Sequence, residues 1–227
     1  MIPWSLLDVA EMPGGSEALH LWRRGAEFSI RIGRTELMNS RLGGSEKALA
    51  ALACSRIAGR QEPRLLIGGL GMGFTLRAAL AALGDKAKVT VAELAPAIVK
   101  WARGPMAEIF GDSLTDARVA ICEEDVGRLI RSGRAVYDAI LLDVDNGPEG
   151  LSRTANDGLY GAQGLSAARA ALRPHGIFAV WSSGPSEAFT RRLRAAGFSA
   201  EEIGVRANGR RGARHIIWIA ERMSDRV

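Results

Sequence analysis

From Pro63 onward, short apolar runs alternate with segments of helical character, and few architectures accept that alternation. The runs are RLLIGG (64–69), KVTVAEL (88–94), RVAICEED (118–125), YDAILLDVD (137–145) and GIFAVWSS (176–183). Between and after them lie FTLRAALAAL (74–83), PAIVKWAR (96–103), a segment at 126–132, GLSAARAAL (164–172) and SEAFTRRLRAAG (186–197), each with helical spacing. Strands that read as continuous apolar runs are buried on both faces, so strand and helix in turn predict a parallel sheet covered by helices. The last two runs, EEIGVRA (201–207) and ARHIIWIAE (213–221), are joined only by the turn NGRRG. A connection that short requires an antiparallel pair. The expected class is therefore α/β, a mostly parallel seven-stranded sheet closed by an antiparallel C-terminal hairpin.

The first 43 residues have another texture. ALHLWRR (18–24), EFSIRIG (27–33) and TELMNS (35–40) read as strands, and Phe28, Ile30 and Ile32 alternate with polar neighbours. Gly25 and Gly33 fall where hairpin turns are needed. A helix is predicted from Ser45 to Ile57, with Ser45 as its N-cap. The expected organisation is a small β-strand subdomain over 1–43, a connecting helix over 44–62 and a nucleoside-binding catalytic domain over 63–227.

Several classes are set aside at this stage. Cys54 and Cys122 form no metal or disulfide pattern, and His20, His175 and His215 are scattered, so no metal is expected. The opening MIPWSLLDVAEMPGG has no basic start and carries Asp8 and Glu11, so it does not read as a signal peptide. No apolar run approaches the roughly 18–20 residues of a membrane span. A soluble cytoplasmic protein is the expectation. The net charge of +5 comes from 30 basic and 25 acidic residues, and four of the 30 are Lys. The arginines of the C-terminal half have no interleaved aromatics on which bases would stack, so a nucleic-acid partner is not expected.

The segment Leu65 to Gly73 carries the chemistry. Glycines between a strand and a helix let backbone N–H groups approach a ligand, because no Cβ intervenes. A dinucleotide loop starting at Gly69 needs a small residue at position 74, which is Phe74. The spacing Gly69-x-Gly71-x-Gly73, preceded by Gly68, fits an adenosylmethionine loop better. Glu93 follows 20 residues after Gly73 (93 − 73), where a carboxylate accepts hydrogen bonds from both ribose hydroxyls. Asp125, after the third run, is placed to receive the adenine amino group. Gly68, Gly69, Gly71, Gly73, Glu93 and Asp125 are the candidate cofactor-binding residues.

These segments resemble the spermidine synthase-like (polyamine aminopropyltransferase-like) family of class I S-adenosylmethionine-fold transferases, from about Arg31 to Ala220. LLIGGLGMGFTLRAAL resembles that family's glycine loop and following helix, and DARVAICEEDVGRLI its segment with the adenine-binding acid. DAILLDVDNGPEG resembles the loop after its fourth strand, where an aspartate activates the acceptor amine. The resemblance implies a Rossmann-like methyltransferase fold with a small N-terminal β-subdomain, a homodimer, and catalytic roles for Asp143 and, as second candidate, Asp145. It places Asn146 and Tyr160 at the acceptor, and Trp181, at the end of the fifth strand, is a further candidate there.

Three positions depart from the family pattern. Gly71 stands where the family has an aspartate that holds the amine of decarboxylated adenosylmethionine. Asn146 replaces a second acid, and the Tyr-His-Glu segment that helps to bind the diamine falls near Ser45-Glu46-Lys47. A dicationic acceptor needs paired carboxylates, and removing one charged partner costs about 2–5 kcal/mol. The sequence therefore favours methyl transfer from S-adenosylmethionine to a small-molecule acceptor. Aminopropyl transfer from decarboxylated S-adenosylmethionine is the first alternative, and a nucleoside-binding protein without turnover the second.

Overall fold

The computed structural model describes residues 2–13, 17–144, 147–148, 158–208 and 211–224. Among these residues, eleven strands form two sheets. Strands β1 (Ser5–Glu11), β2 (Ala18–Arg24), β3 (Glu27–Ile32) and β4 (Thr35–Asn39) make an antiparallel sheet in the order β1-β2-β3-β4. Helix α1 (Gly44–Arg56) follows, and then β5 (Arg64–Gly68), α2 (Phe74–Ala82), β6 (Lys88–Ala92) and α3 (Pro96–Arg103). A short helix, α4 (Ala107–Phe110), precedes β7 (Val119–Cys122), α5 (Val126–Ser132) and β8 (Tyr137–Leu142). The chain ends with α6 (Ala162–Ala171), β9 (Leu172–Ser182), α7 (Glu187–Ala195), β10 (Phe198–Asn208) and β11 (Arg211–Arg222).

The large sheet has the order β10-β11-β9-β8-β5-β6-β7. β5 pairs in parallel with both β6 and β8, while β11 runs antiparallel to β9 and β10. The parallel sheet and closing hairpin expected from the alternation are thus present. Strand β5 shows how the pleat divides the core: Leu65 and Ile67 face one layer, and Leu66 faces the other. The first layer runs without a break from Leu19, Leu21, Phe28 and Ile30 of the small sheet through Leu49 and Ala53 of α1 to Ile67 and Trp101. The second joins Leu66, Ile140 and Phe178 to Phe189 of α7 and Trp218 of β11. Trp101 also donates its indole N–H to Asp8 of β1 at 2.8 Å, tying the small sheet to α3.

Three local expectations are corrected. The small sheet has a fourth strand, β1, whose alternation is hidden by a register shift between Leu6 and Asp8. Ser45 is not the cap of α1: Gly43 holds that place, and the Ser45 hydroxyl bonds elsewhere. β9 begins at Leu172, directly after α6, and takes in Pro174 and His175 through an irregular register against β8. No helix among the described residues is long and apolar enough to cross a membrane.

Asp138, fully buried at the start of β8, accepts from the Arg64 N–H (2.8 Å) and from Arg173 Nη1 (2.9 Å). Arg60 Nε lies 3.6 Å from its other oxygen. Breaking a buried charge pair costs about 3–5 kcal/mol, and partial hydration of the arginines favours the lower end. Asp138→Ala is expected to lose about 3 kcal/mol in urea-induced unfolding.

Candidate functional site

The carboxyl ends of β5, β6 and β8 lie side by side, the crevice position where ligands bind in open α/β sheets. Gly69 leaves β5 with φ +91°, and a Cβ there would collide with the carbonyl oxygen of Asp143. The same turn is pinned by Gly69 N–H to Ala92 O (2.8 Å) and by Asp143 N–H to Gly68 O (3.0 Å). The loop therefore touches the ends of both neighbouring strands, and only glycine permits that approach.

Glu93 follows the last residue of β6 and is 6% exposed. Its Oε2 accepts the Leu70 N–H and its Oε1 the Ala95 N–H, both at 2.9 Å. Burial raises the carboxyl above its ordinary value, and backbone hydrogen bonds from Ala95, Leu70, Gly71 and Leu94 oppose that shift. Glu93 is thus a clamp on the glycine loop, and its carboxylate stands on the wall of the smaller of two cavities. Asp125 lies three residues beyond β7 and caps α5, accepting the Gly127 N–H at 2.6 Å.

Two cavities meet here. The smaller, about 140 Å³, is lined by Gly69, Gly71, Glu93, Glu124, Asp125 and Asp143 among others. The larger, about 350 Å³, lies under β4 and is lined by Glu17, Glu46, Asp143, Trp181 and the apolar groups Ile32, Leu37, Met38, Leu70, Met72 and Phe74. Leu37, Met38, Gly71 and Asp143 belong to both. Asp143 keeps some solvent contact through these cavities although it lies deep in the fold. Burial first, then the negative charge of Glu46, pushes its carboxyl up to about 7, against the hydrogen bond that Thr75 Oγ1 donates at 2.6 Å.

The candidate residues separate on this geometry. Gly68 and Gly73 line neither cavity: a Cβ at 68 would press on Leu142 and Val126, and one at 73 (φ +72°) would collide with Phe110. They serve packing and the turn. Tyr160 is buried in the second core layer, edge-on to Phe189 at 5.6 Å, and is absent from both cavity walls. Trp181 stands on the wall of the larger cavity, its buried indole N–H without a hydrogen-bond partner among the described residues. Asp145 and Asn146 lie outside the described residues. Among those described, no group of three or more His, Cys, Asp or Glu could hold a metal ion.

Glu46 was hidden in the sequence because an acid in the first turn of a helix is ordinary. It sits in the segment that departs from the Tyr-His-Glu pattern, yet the docking of α1 brings it to the cavity wall. The roof residues Leu37 and Met38 were also hidden, because only the docking of the small sheet assigns them.

No protein-family model matches the chain. A curated relative, polyamine aminopropyltransferase 1 of Streptomyces coelicolor, is 29% identical over 157 residues, which cover 66% of this chain and 28% of the relative. The chain thus spans little more than a quarter of that protein's length. The spermidine synthase of Thermotoga maritima superposes with a TM-score of 0.74 at 15% identity, over 97% of this chain and 73% of that one. An O-methyltransferase family protein of Burkholderia thailandensis reaches 0.57 at 12% identity, over 80% and 57% of the two chains. The chain has the Rossmann-like fold of adenosylmethionine-dependent transferases, and the comparisons agree with its resemblance to the spermidine synthase-like group.

With Asp143 near 7 in the fold and an ordinary value of 3.8, the native state keeps a proton that the unfolded chain has lost between those values. This contribution to stability is whole below pH 4 and is lost as the pH rises through 7. Asp143→Asn should therefore raise the thermal midpoint relative to wild type by more at pH 8 than at pH 5, read by scanning calorimetry at both.

Proposed function

We propose that the chain moves an aminopropyl group from decarboxylated S-adenosylmethionine to a small amine. The observation that carries this reading is the sign of the two cavities. Their described walls hold Glu17, Glu46, Glu93, Glu124, Asp125 and Asp143 and no Lys, Arg or His. S-adenosylmethionine itself would bring a carboxylate among these acids with no cation on the walls to receive it. The decarboxylated nucleoside and an alkylammonium are both purely cationic, and such charges are favoured where carboxylates converge out of bulk water. The name of the curated relative agrees with this choice.

The bound nucleoside would supply an activated carbon next to a sulfonium. An N–C bond would form there as the S–C bond breaks, its electron pair leaving on sulfur as a neutral thioether nucleoside. The protein has to align the amine and remove its proton. An alkylamine is protonated at neutral pH, its ordinary value lying near 10. Asp143, at about 7, is ionised above neutrality and accepts that proton as general base. Glu46 and Asp143 together hold the ammonium, and the apolar walls under Leu37, Met38 and Phe74 enclose its carbon chain. Gly69 and Gly71 admit the nucleoside tail, while Glu93 and Asp125 face its ribose and base.

Methyl transfer from S-adenosylmethionine remains the second reading, and Gly71 favours it. The loop offers no acid at the position where the resemblance puts one, and its neighbours Leu70 and Met72 are apolar. Titration calorimetry with the two nucleosides separates the readings. The decarboxylated form should bind at least tenfold more tightly, and equal or tighter binding of S-adenosylmethionine would refute aminopropyl transfer. Asp143→Ala should abolish turnover while nucleoside binding stays within about threefold, which also tests the reading without turnover. Gly71→Asp is sterically open, since an added Cβ meets only Met38 Sδ at 3.5 Å. Aspartate tolerates the left-handed backbone better than most residues. That variant should raise the affinity for the decarboxylated nucleoside about tenfold, measured the same way.

A further inference from the structure

A chain of polar groups behind the larger cavity ends on Glu46. His215 of β11 packs edge-on against Trp181, with ring centroids 4.8 Å apart, and its Nδ1 lies 2.9 Å from Ser45 Oγ. The Ser45 hydroxyl donates in turn to Glu46 Oε2 at 2.7 Å. A hydroxyl carries one hydrogen, and once it is given to Glu46 only the lone pairs of Ser45 remain for His215. Nδ1 must then carry the ring hydrogen, so the chain has one direction, from His215 through Ser45 to Glu46.

The surroundings make this chain hard to replace. Ser45 is fully buried, so water cannot stand in for the imidazole. Burial lowers the basicity of His215 against the pull of Glu46, which keeps a neutral ring with one fixed hydrogen. Glu46 lies in the first turn of α1, where the free helix amides and the positive end of the dipole compete for a carboxylate. The Ser45 hydrogen bond holds it at the cavity instead. Thr75 plays the matching part for Asp143, so Glu46 and Asp143 each have a buried hydroxyl donor.

We propose that His215 is a positioning residue for the acceptor: acting through Ser45, it holds the Glu46 carboxylate at the wall of the larger cavity. The role rests on the reading of that cavity as the amine site. His215 is on a strand that the nucleoside half of the site does not use, so its effect is confined to the acceptor.

Two measurements on the full chain test it. Nitrogen-detected NMR of the histidine rings should find His215 as the Nδ1–H tautomer, with its signal shifted in Ser45→Ala and in Glu46→Gln. An Nε2–H tautomer would overturn the proposal whatever reaction the protein performs. In steady-state assays with putrescine and decarboxylated S-adenosylmethionine, His215→Phe keeps a ring against Trp181 but removes the donor. It should raise KM for putrescine about tenfold and leave KM for the nucleoside unchanged. His215→Asn, whose amide can replace the Nδ1 hydrogen, should recover most of the loss. In a Glu46→Gln background, His215→Phe should have less than a twofold effect. An undiminished effect there, or a putrescine KM equal to wild type in His215→Phe, would refute the positioning role. A wild-type protein that transfers nothing to putrescine would count against the proposed transfer, and the ring tautomer would still decide the chain of hydrogen bonds.

Discussion

The placement of β5 between two parallel neighbours governs the whole site. Because β6 and β8 flank it in register, the residues just past the three strand ends meet at one level: Gly69, Glu93 and Asp143. The glycine loop bonds both sides, to Ala92 and Glu93 on one and to the Asp143 backbone on the other. A side chain at position 69 would push these strand ends apart. The acid that binds the loop and Asp143, the acid proposed to face the amine, are therefore held by backbone geometry before any ligand arrives, and preorganisation of this kind lowers the cost of binding.

The fold was largely legible because its signals are local. The run of Val126–Ser132 and the span Pro96–Arg103 are helices over the same residues that periodicity assigned, and Ala18–Arg24 is a strand over the same seven. What was not legible depends on tertiary contact. Strand β1 lost its alternation to a bulge at an edge. Ser45 looked like a cap because serine so often is one, yet Gly43 takes the cap and Ser45 turns to Glu46 and His215. Gly68 and Gly73 looked like ligand-facing members of a motif, but their missing side chains make room for protein atoms. Tyr160 followed a pattern, and the second core layer absorbed it. Spacing locates a loop; which of its glycines faces the ligand is decided by what packs behind each one.

Charge shows the same separation of scales. The chain carries a net +5, yet the charged side chains on the described walls of both cavities are all acids. Many of the arginines are spent on local partners, as Arg173 on Asp138, Arg118 on Asp116 and Arg24 on Glu27. Over a Debye length of about 8–10 Å their summed field is screened, so a ligand inside the cleft responds to the carboxylates beside it.

The roof of the larger cavity and its floor come from different sheets. Met38 of the small sheet and Asp143 of the large one share its wall, although 105 positions (143 − 38) separate them. Contacts of such separation are closed late, after their loop entropy has been offset by nearer ones. The ends of β5, β6 and β8 make the shelf on which the proposed nucleoside rests, and Leu37 and Met38 of the docked small sheet line both cavities above it. A chain with its large sheet complete and its small sheet undocked would keep that shelf and leave neither cavity enclosed. Enclosure of both cavities is thus a property of the docked pair of sheets and of neither sheet alone.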